Sequence, residues 1–189
     1  MIWVAVMLGS DTDGPAFVNS GAIEVLDKVF TRAGWRLSVL SAHRHKEELE
    51  ETVRTRCEES TRAFIGAAGL LPALPGDILA NLYALGRYST PVFGVALGSD
   101  TYAADKGTVA LNDMPKGCPV LTCGSGPRGF VQAAVAASQI VIDSSVPGLD
   151  ALHRLTEWHE AFAAEKPPQP DVNIDEFVAK HREKKGGTA

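Results

Sequence analysis

Three short polar turns hold the side chains with chemistry to offer. Gly9-Ser10-Asp11-Thr12 and Gly98-Ser99-Asp100-Thr101 repeat one tetrapeptide, the first extended by Asp13, and Ser41-Ala42-His43-Arg44 adds a hydroxyl, an imidazole and a guanidinium. The hydroxyls of Ser10 and Thr12, together with the amides that open a following helix, can surround a phosphate dianion, and Arg44 can add a two-pronged charged contact. The same two hydroxyls serve equally well as helix caps. Asp11 and Asp13 would repel a phosphate, so one is expected to accept from ribose hydroxyls and the other to accept backbone amides at the helix start. His43 is the histidine that falls in a polar turn after a strand, where imidazole can pass a proton near neutral pH. His45 reads as a surface neighbour, and His153, His159 and His181 fall in the C-terminal part.

These turns need elements to hold them together, and the apolar pattern supplies such elements. Trp3 to Leu8, Leu37 to Leu40, Ala63 to Ala67, Val92 to Leu97 and Val120 to Cys123 read as strands. Between them, Ala22 to Val29, Lys46 to Ser60, Asp77 to Leu85 and Phe130 to Ile142 read as helices. Near-continuous apolar strands alternating with helices predict an α/β chain: a three-layer αβα sandwich on a central parallel sheet, flavodoxin-like or Rossmann-like. In such sheets ligands sit beyond the carboxyl ends of the strands, where the three turns lie. The catalytic domain is expected over residues 1–146. Residues 147–189 are expected to form a helical appendage and a flexible tail, broken at Lys166-Pro167-Pro168-Gln169-Pro170. Gly124-x-Gly126-x-x-Gly129 fits a short dinucleotide pattern but has no suitably placed acidic ribose partner, so no nucleotide cofactor is expected.

Composition narrows the classes. The 189 residues are enough for one real core, 45% are apolar, and the net charge is −5. An acidic balance argues against nucleic acid as a partner. The apolar start lacks a basic prelude and is cut off by Gly9, so it reads as a strand and neither a signal peptide nor a membrane span. Cys57, Cys118 and Cys123 have no metal-site spacing, and their odd number fits free thiols in a reducing cytoplasm. No metal is expected.

Taken in order after successive strands, Gly9-Ser10-Asp11-Thr12-Asp13, Ser41-Ala42-His43-Arg44 and Ala73-Leu74-Pro75-Gly76 resemble the phosphoribosylaminoimidazole carboxylase and carboxyaminoimidazole ribonucleotide mutase family of purine biosynthesis. The resemblance covers about residues 2 to 142. One branch of that family moves a carboxylate from the exocyclic nitrogen to ring carbon C4, and the other joins carbon dioxide directly to aminoimidazole ribonucleotide. The mutase branch usually reads His-Leu-Pro-Gly where this chain has Ala73-Leu74-Pro75-Gly76. Ser99 to Asp105 and Met114-Pro115-Lys116-Gly117 are similar to the direct-carboxylase branch, which in turn tends to have lysine where this chain has Arg44.

The resemblance therefore implies a direct carboxylase, a carbon–carbon bond-forming lyase that takes aminoimidazole ribonucleotide and carbon dioxide without a cofactor. It implies that Ser10, Thr12, Asp13 and Arg44 hold the ribose phosphate, with Gly9 and Asp11 beside them. His43 would shuttle the C4 proton, the backbone groups of Ser41 and Ala42 would orient the ring, and His43, Ser41 and Asp13 would form the catalytic group. Gly66, Ala67 and Ala68 would let the backbone approach the base, Ala73 and Leu74 would line the third turn, and Ser99, Asp100 and the loop to Lys106 would close the pocket. A homo-octamer with sites between subunits is also implied. Three other readings stand beside this one: the mutase, a diverged carboxylase or decarboxylase of another ribonucleotide or heteroaromatic, and a non-catalytic ribonucleotide-binding protein.

Overall fold

The computed structural model describes residues 2–69, 73–98, 101–143, 153–154, 156–158 and 160–161. Among them, five strands form one parallel sheet in the order β2-β1-β3-β4-β5. The strands are β1 (Val4–Leu8), β2 (Trp35–Val39), β3 (Ala63–Ala68), β4 (Val92–Ala96) and β5 (Leu121–Ser125). The three central strands are buried at every residue, which accounts for their unbroken apolar sequences, because a strand covered on both faces has no position to spare for a polar side chain.

The covering layers follow from the alternation of side chains along each strand. Val4, Val6 and Leu8 point into a core shared with α1 (Gly14–Val18), α2 (Ala22–Phe30) and α6 (Gly126–Asp143). Ala5 and Met7 point the other way, into a core shared with α3 (Lys46–Glu58) and α4 (Ala73–Ala84). Helix α5 (Thr101–Asn112) lies on this second face, where Leu111 packs beside Gly94. The expected three-layer α/β sandwich is the observed fold. Helix α2 shows why: Ala22, Val25, Leu26 and Val29 recur at helical spacing and are all buried.

Several expected elements differ from those observed. The segment Thr101 to Lys106, expected as a loop over the pocket, is the first half of α5. From residue 105 on, where burial is described, Gly107 and Leu111 are the buried positions, and one of them is a glycine, so the apolar period is weak. Helix α4 starts at Ala73 and not at Asp77, since a proline in the first turn loses no intrahelical hydrogen bond. The segment after Asp13 coils into the one-turn helix α1, with Pro15 near its start. The expected domain boundary at residues 146–147, and the tail, lie outside the described residues. Of the expected C-terminal helix, His153, Arg154 and Glu157 are helical, and Arg154 donates to the Val29 carbonyl at 2.9 Å.

Thr31 closes α2 with φ 61° and ψ 164°, a conformation that glycine alone adopts without strain. Its side chain is exposed. Thr31→Gly is therefore expected to stabilise the protein by about 1 kcal/mol, the relieved strain exceeding glycine's extra chain entropy. A lower urea midpoint for the variant would contradict this.

Candidate functional site

The order in which strands are added reverses between β1 and β3, since β2 lies on one side of β1 and β3 to β5 on the other. Such a point leaves a crevice at the carboxyl ends of the strands. Backbone hydrogen bonds hold these ends in step past the strands themselves: Gly9 N–H to Ala67 O at 2.8 Å, Leu40 N–H to Leu8 O at 2.8 Å and Leu97 N–H to Ala68 O at 2.9 Å. Gly9 is where β1 and β3 crowd, because a Cβ there would stand 3.1 Å from the Ala68 Cβ.

A cavity of about 460 Å³ opens over this crevice. Gly9, Ser10, Thr12 and Asp13 line it from the end of β1, and Ser41, Ala42, His43 and Arg44 from the end of β2. Ala68, Gly69, Ala73 and Leu74 line it from the end of β3 and the start of α4. A second cavity of about 340 Å³ lies beside it, sharing Thr12, Asp13 and Gly69 and walled by Ala16, Leu97, Gly98, Gly126 and Pro127.

The local geometry around Asp13 is set by a capped 3₁₀ turn. Ser10 Oγ accepts from the Thr12 amide at 3.3 Å and from the Thr12 hydroxyl at 2.9 Å, and the Asp13 amide donates to Ser10 O at 3.0 Å. The Ser10 hydroxyl thus caps the turn, the Thr12 hydroxyl donates to it, and both residues line the cavity. Burial raises the Asp13 carboxyl above its ordinary value, and hydrogen bonds from the Ser10 and Gly9 backbone pull it partly back.

A carboxyl raised in this way binds more protons folded than unfolded between its two pKa values. Its penalty on stability is therefore absent at pH below the ordinary carboxylate value and grows as pH rises through the folded one. Asp13→Asn is expected to be more stable than the parent at about pH 7 and to lose that advantage by about pH 4. Urea unfolding of both proteins at the two pH values checks this, and a parent more stable at neutral pH would refute it.

The residues expected in the site fall into three groups. Gly9, Ser10, Thr12, Asp13, Ser41, His43, Arg44, Ala73 and Leu74 line the first cavity. Asp11, Gly66 and Ala67 do not. Asp11 is exposed in the 3₁₀ turn, Ala67 points into the α2/α6 core, and a Cβ at Gly66 would meet Pro75 and Ile78 at 3.0–3.2 Å. Gly66 admits helix α4 to the sheet and not a ligand. Ser99 and Asp100 lie outside the described residues, and Gly98 of their tetrapeptide opens on the second cavity. Gly69 was missed as a site residue, although its place directly after β3 marks it.

Among the described residues, no group of His, Cys, Asp and Glu is arranged to hold a metal ion, and no helix is long and apolar enough to cross a membrane. Burial pushes the Cys123 thiol up to about 11, so it stays protonated at neutral pH.

Residues 3–163 match the family described as AIR carboxylase. An N5-carboxyaminoimidazole ribonucleotide mutase of Haemophilus influenzae is 30% identical over 138 residues, which are 73% of this chain and 78% of the relative. One from Pyrococcus abyssi is 34% identical over 73% of this chain and 72% of its own. One from Escherichia coli is 29% identical over 89% of this chain and 92% of its own. A crystal structure of Treponema denticola PurE shares the fold with a TM-score of 0.67 and 18% identity, over 87% of this chain and 94% of that one.

These relatives overturn the expected direct-carboxylase branch, since each of the three is named a mutase. With it fall the carboxylase, decarboxylase and lyase assignments and the pairing of aminoimidazole ribonucleotide with carbon dioxide as substrates. The branch reading rests on a few positions outside the strands, Ala73, Ser99 to Asp105 and Met114 to Gly117, where residues change without disturbing the buried sheet. A match over 138 residues draws on far more of the chain than those few positions.

Proposed function

The chain belongs to the AIR carboxylase family, and on that footing we propose that it is an isomerase that converts N5-carboxyaminoimidazole ribonucleotide to its C4-carboxylated isomer in purine biosynthesis. One observation carries the reading: His43 and Arg44 on one turn face Ser10, Thr12 and Asp13 on another across a single cavity, in a chain whose relatives bear the mutase name.

The conversion breaks the bond between the exocyclic nitrogen and the carboxyl carbon and makes one from that carbon to C4. The nitrogen gains a proton and C4 loses one, so nothing is consumed beyond the substrate. Arg44 and the Ser10 and Thr12 hydroxyls are suited to the ribose phosphate, with Arg44 supplying fixed charge. Asp13, between the two cavities, is suited to the ribose. His43 is the one imidazole lining the cavity among the described residues and carries the proton between carbon and nitrogen. Mutases usually place a second histidine where this chain has Ala73, so proton handling rests on His43 here. Holding the ring and the carboxyl group together removes the entropy cost of a second encounter. We further propose a cytoplasmic homo-oligomer, an octamer as the family resemblance implies.

The test is to supply purified protein with N5-carboxyaminoimidazole ribonucleotide, without ATP, and follow the C4-carboxylated product by its ultraviolet absorbance. Conversion faster than the spontaneous background supports the assignment. Binding without conversion would overturn it.

A further inference from the structure

We propose that His45 is a positioning residue, whose imidazole locks the turn that presents His43 and Arg44 to the cavity. The Leu40 amide makes the last backbone bond from β2 toward β1, at Leu8 O. The next amide, that of Ser41, has passed the end of the sheet, yet Ser41 is only 7% exposed. A buried N–H in that position needs an acceptor. It finds one in His45 Nδ1 at 3.2 Å.

The carbonyl of the same residue is also engaged. The Ser41 carbonyl accepts from the Arg44 amide at 3.2 Å and from the His45 amide at 2.9 Å. Residues 41 and 45 are thus joined by backbone in one direction and by the ring in the other, with Ala42, His43 and Arg44 in the loop between them.

His45 also begins α3, where its carbonyl accepts from Leu49 N–H at 2.9 Å. A residue at that position ordinarily turns its side chain onto the first amides of its own helix. His45 makes no such bond and reaches back four residues instead. The ring therefore ties the turn to a helix anchored in the core by the buried Leu49 and Val53. Because Nδ1 accepts, the proton of the neutral ring is on Nε2.

The consequence for catalysis depends on the mutase reading, whereas the clamp itself does not. A displacement of about 1 Å at a proton-transferring group can cost about 10²-fold in rate. The short imidazole of His43 cannot make up such a shift, while the long side chain of Arg44 can. Loss of the clamp should accordingly lower kcat more than it raises KM.

Two variants separate positioning from general stability. His45→Ala removes the acceptor. His45→Asn restores one, because the amide oxygen stands at nearly the same place along the side chain as Nδ1. Amide hydrogen exchange at Ser41, read by NMR, and steady-state kinetics on the same samples form the experiment. His45→Ala should speed Ser41 exchange by at least about tenfold and reduce kcat by about 10–100-fold, with KM changed less than about threefold. His45→Asn should recover both. Unchanged Ser41 protection in His45→Ala would overturn the clamp, and lost protection with unchanged kcat would overturn its role in positioning. Protection lost throughout β2 and α3, and not recovered by His45→Asn, would mark an ordinary folding residue and also refute the proposal. If the parent protein converts no substrate while Ser41 exchange responds as stated, the mutase assignment fails and the clamp stands.

Discussion

His43→Asn is expected to slow carboxyl migration by about 10²–10⁴-fold, the range a positioned proton carrier contributes. Ribonucleotide affinity should stay within about threefold, since asparagine keeps a similar shape and a hydrogen-bonding edge but cannot take up a proton. The equal fall of kcat and kcat/KM that this pattern implies is the mark of an interaction made in the transition state alone. The replacement tests this chain with unusual sharpness, because Ala73, which lines the same cavity, has no group that could take up the proton. Initial rates with the N-carboxylated ribonucleotide, together with calorimetric binding of the unreactive aminoimidazole ribonucleotide, measure both halves. A rate within threefold of the parent would remove His43 from the mechanism.

Arg44→Ala should act on the other side of the kinetics. Hydrogen bonds from a guanidinium to an anion contribute about 1.5–3 kcal/mol, so KM should rise by roughly 10–150-fold while kcat changes little. Arg44→Lys should recover part of the loss, since it keeps the charge but not the planar fork. Raising the salt concentration should weaken binding in the parent more than in Arg44→Ala, because the cavity is open to solvent on this side and its charge is screened. Equal KM values for parent and Arg44→Ala would place the phosphate elsewhere.

The parts of this molecule that could be read in advance are those where one residue's surroundings depend on its near neighbours in sequence. Strands β1, β3 and β4 were legible because burial on both faces leaves an unbroken apolar run. The edge strand β5 was placed a residue early and ended two residues short, since partial exposure erases the contrast that marks a buried strand. Helix α5 was not legible because, over residues 105–112, the buried positions are Gly107 and Leu111, too little for a period to show. Gly66 and Ala67 were assigned to the ligand and belong to packing. Ala68, expected with them, does line the cavity: Ala67 alternates onto the opposite face, into the α2/α6 core, and Gly66 lies one pleat deeper, under α4.

The sequence by itself determined that this is a parallel α/β sandwich, and that chemistry resides in polar turns directly after the strands, because both follow from local alternation of apolar runs with capping residues. Which turns meet was decided by tertiary structure alone. The order β2-β1-β3-β4-β5 sets the ends of β2, β1 and β3 side by side, which brings Arg44 and His43 opposite Ser10, Thr12 and Asp13. It leaves the end of β4 one strand farther away, so that the second Gly-Ser-Asp-Thr begins, at Gly98, in the neighbouring cavity and not in the first. Strand order is the outcome of packing between segments distant along the chain, and the leading glycines of two identical tetrapeptides, Gly9 and Gly98, thereby line different cavities.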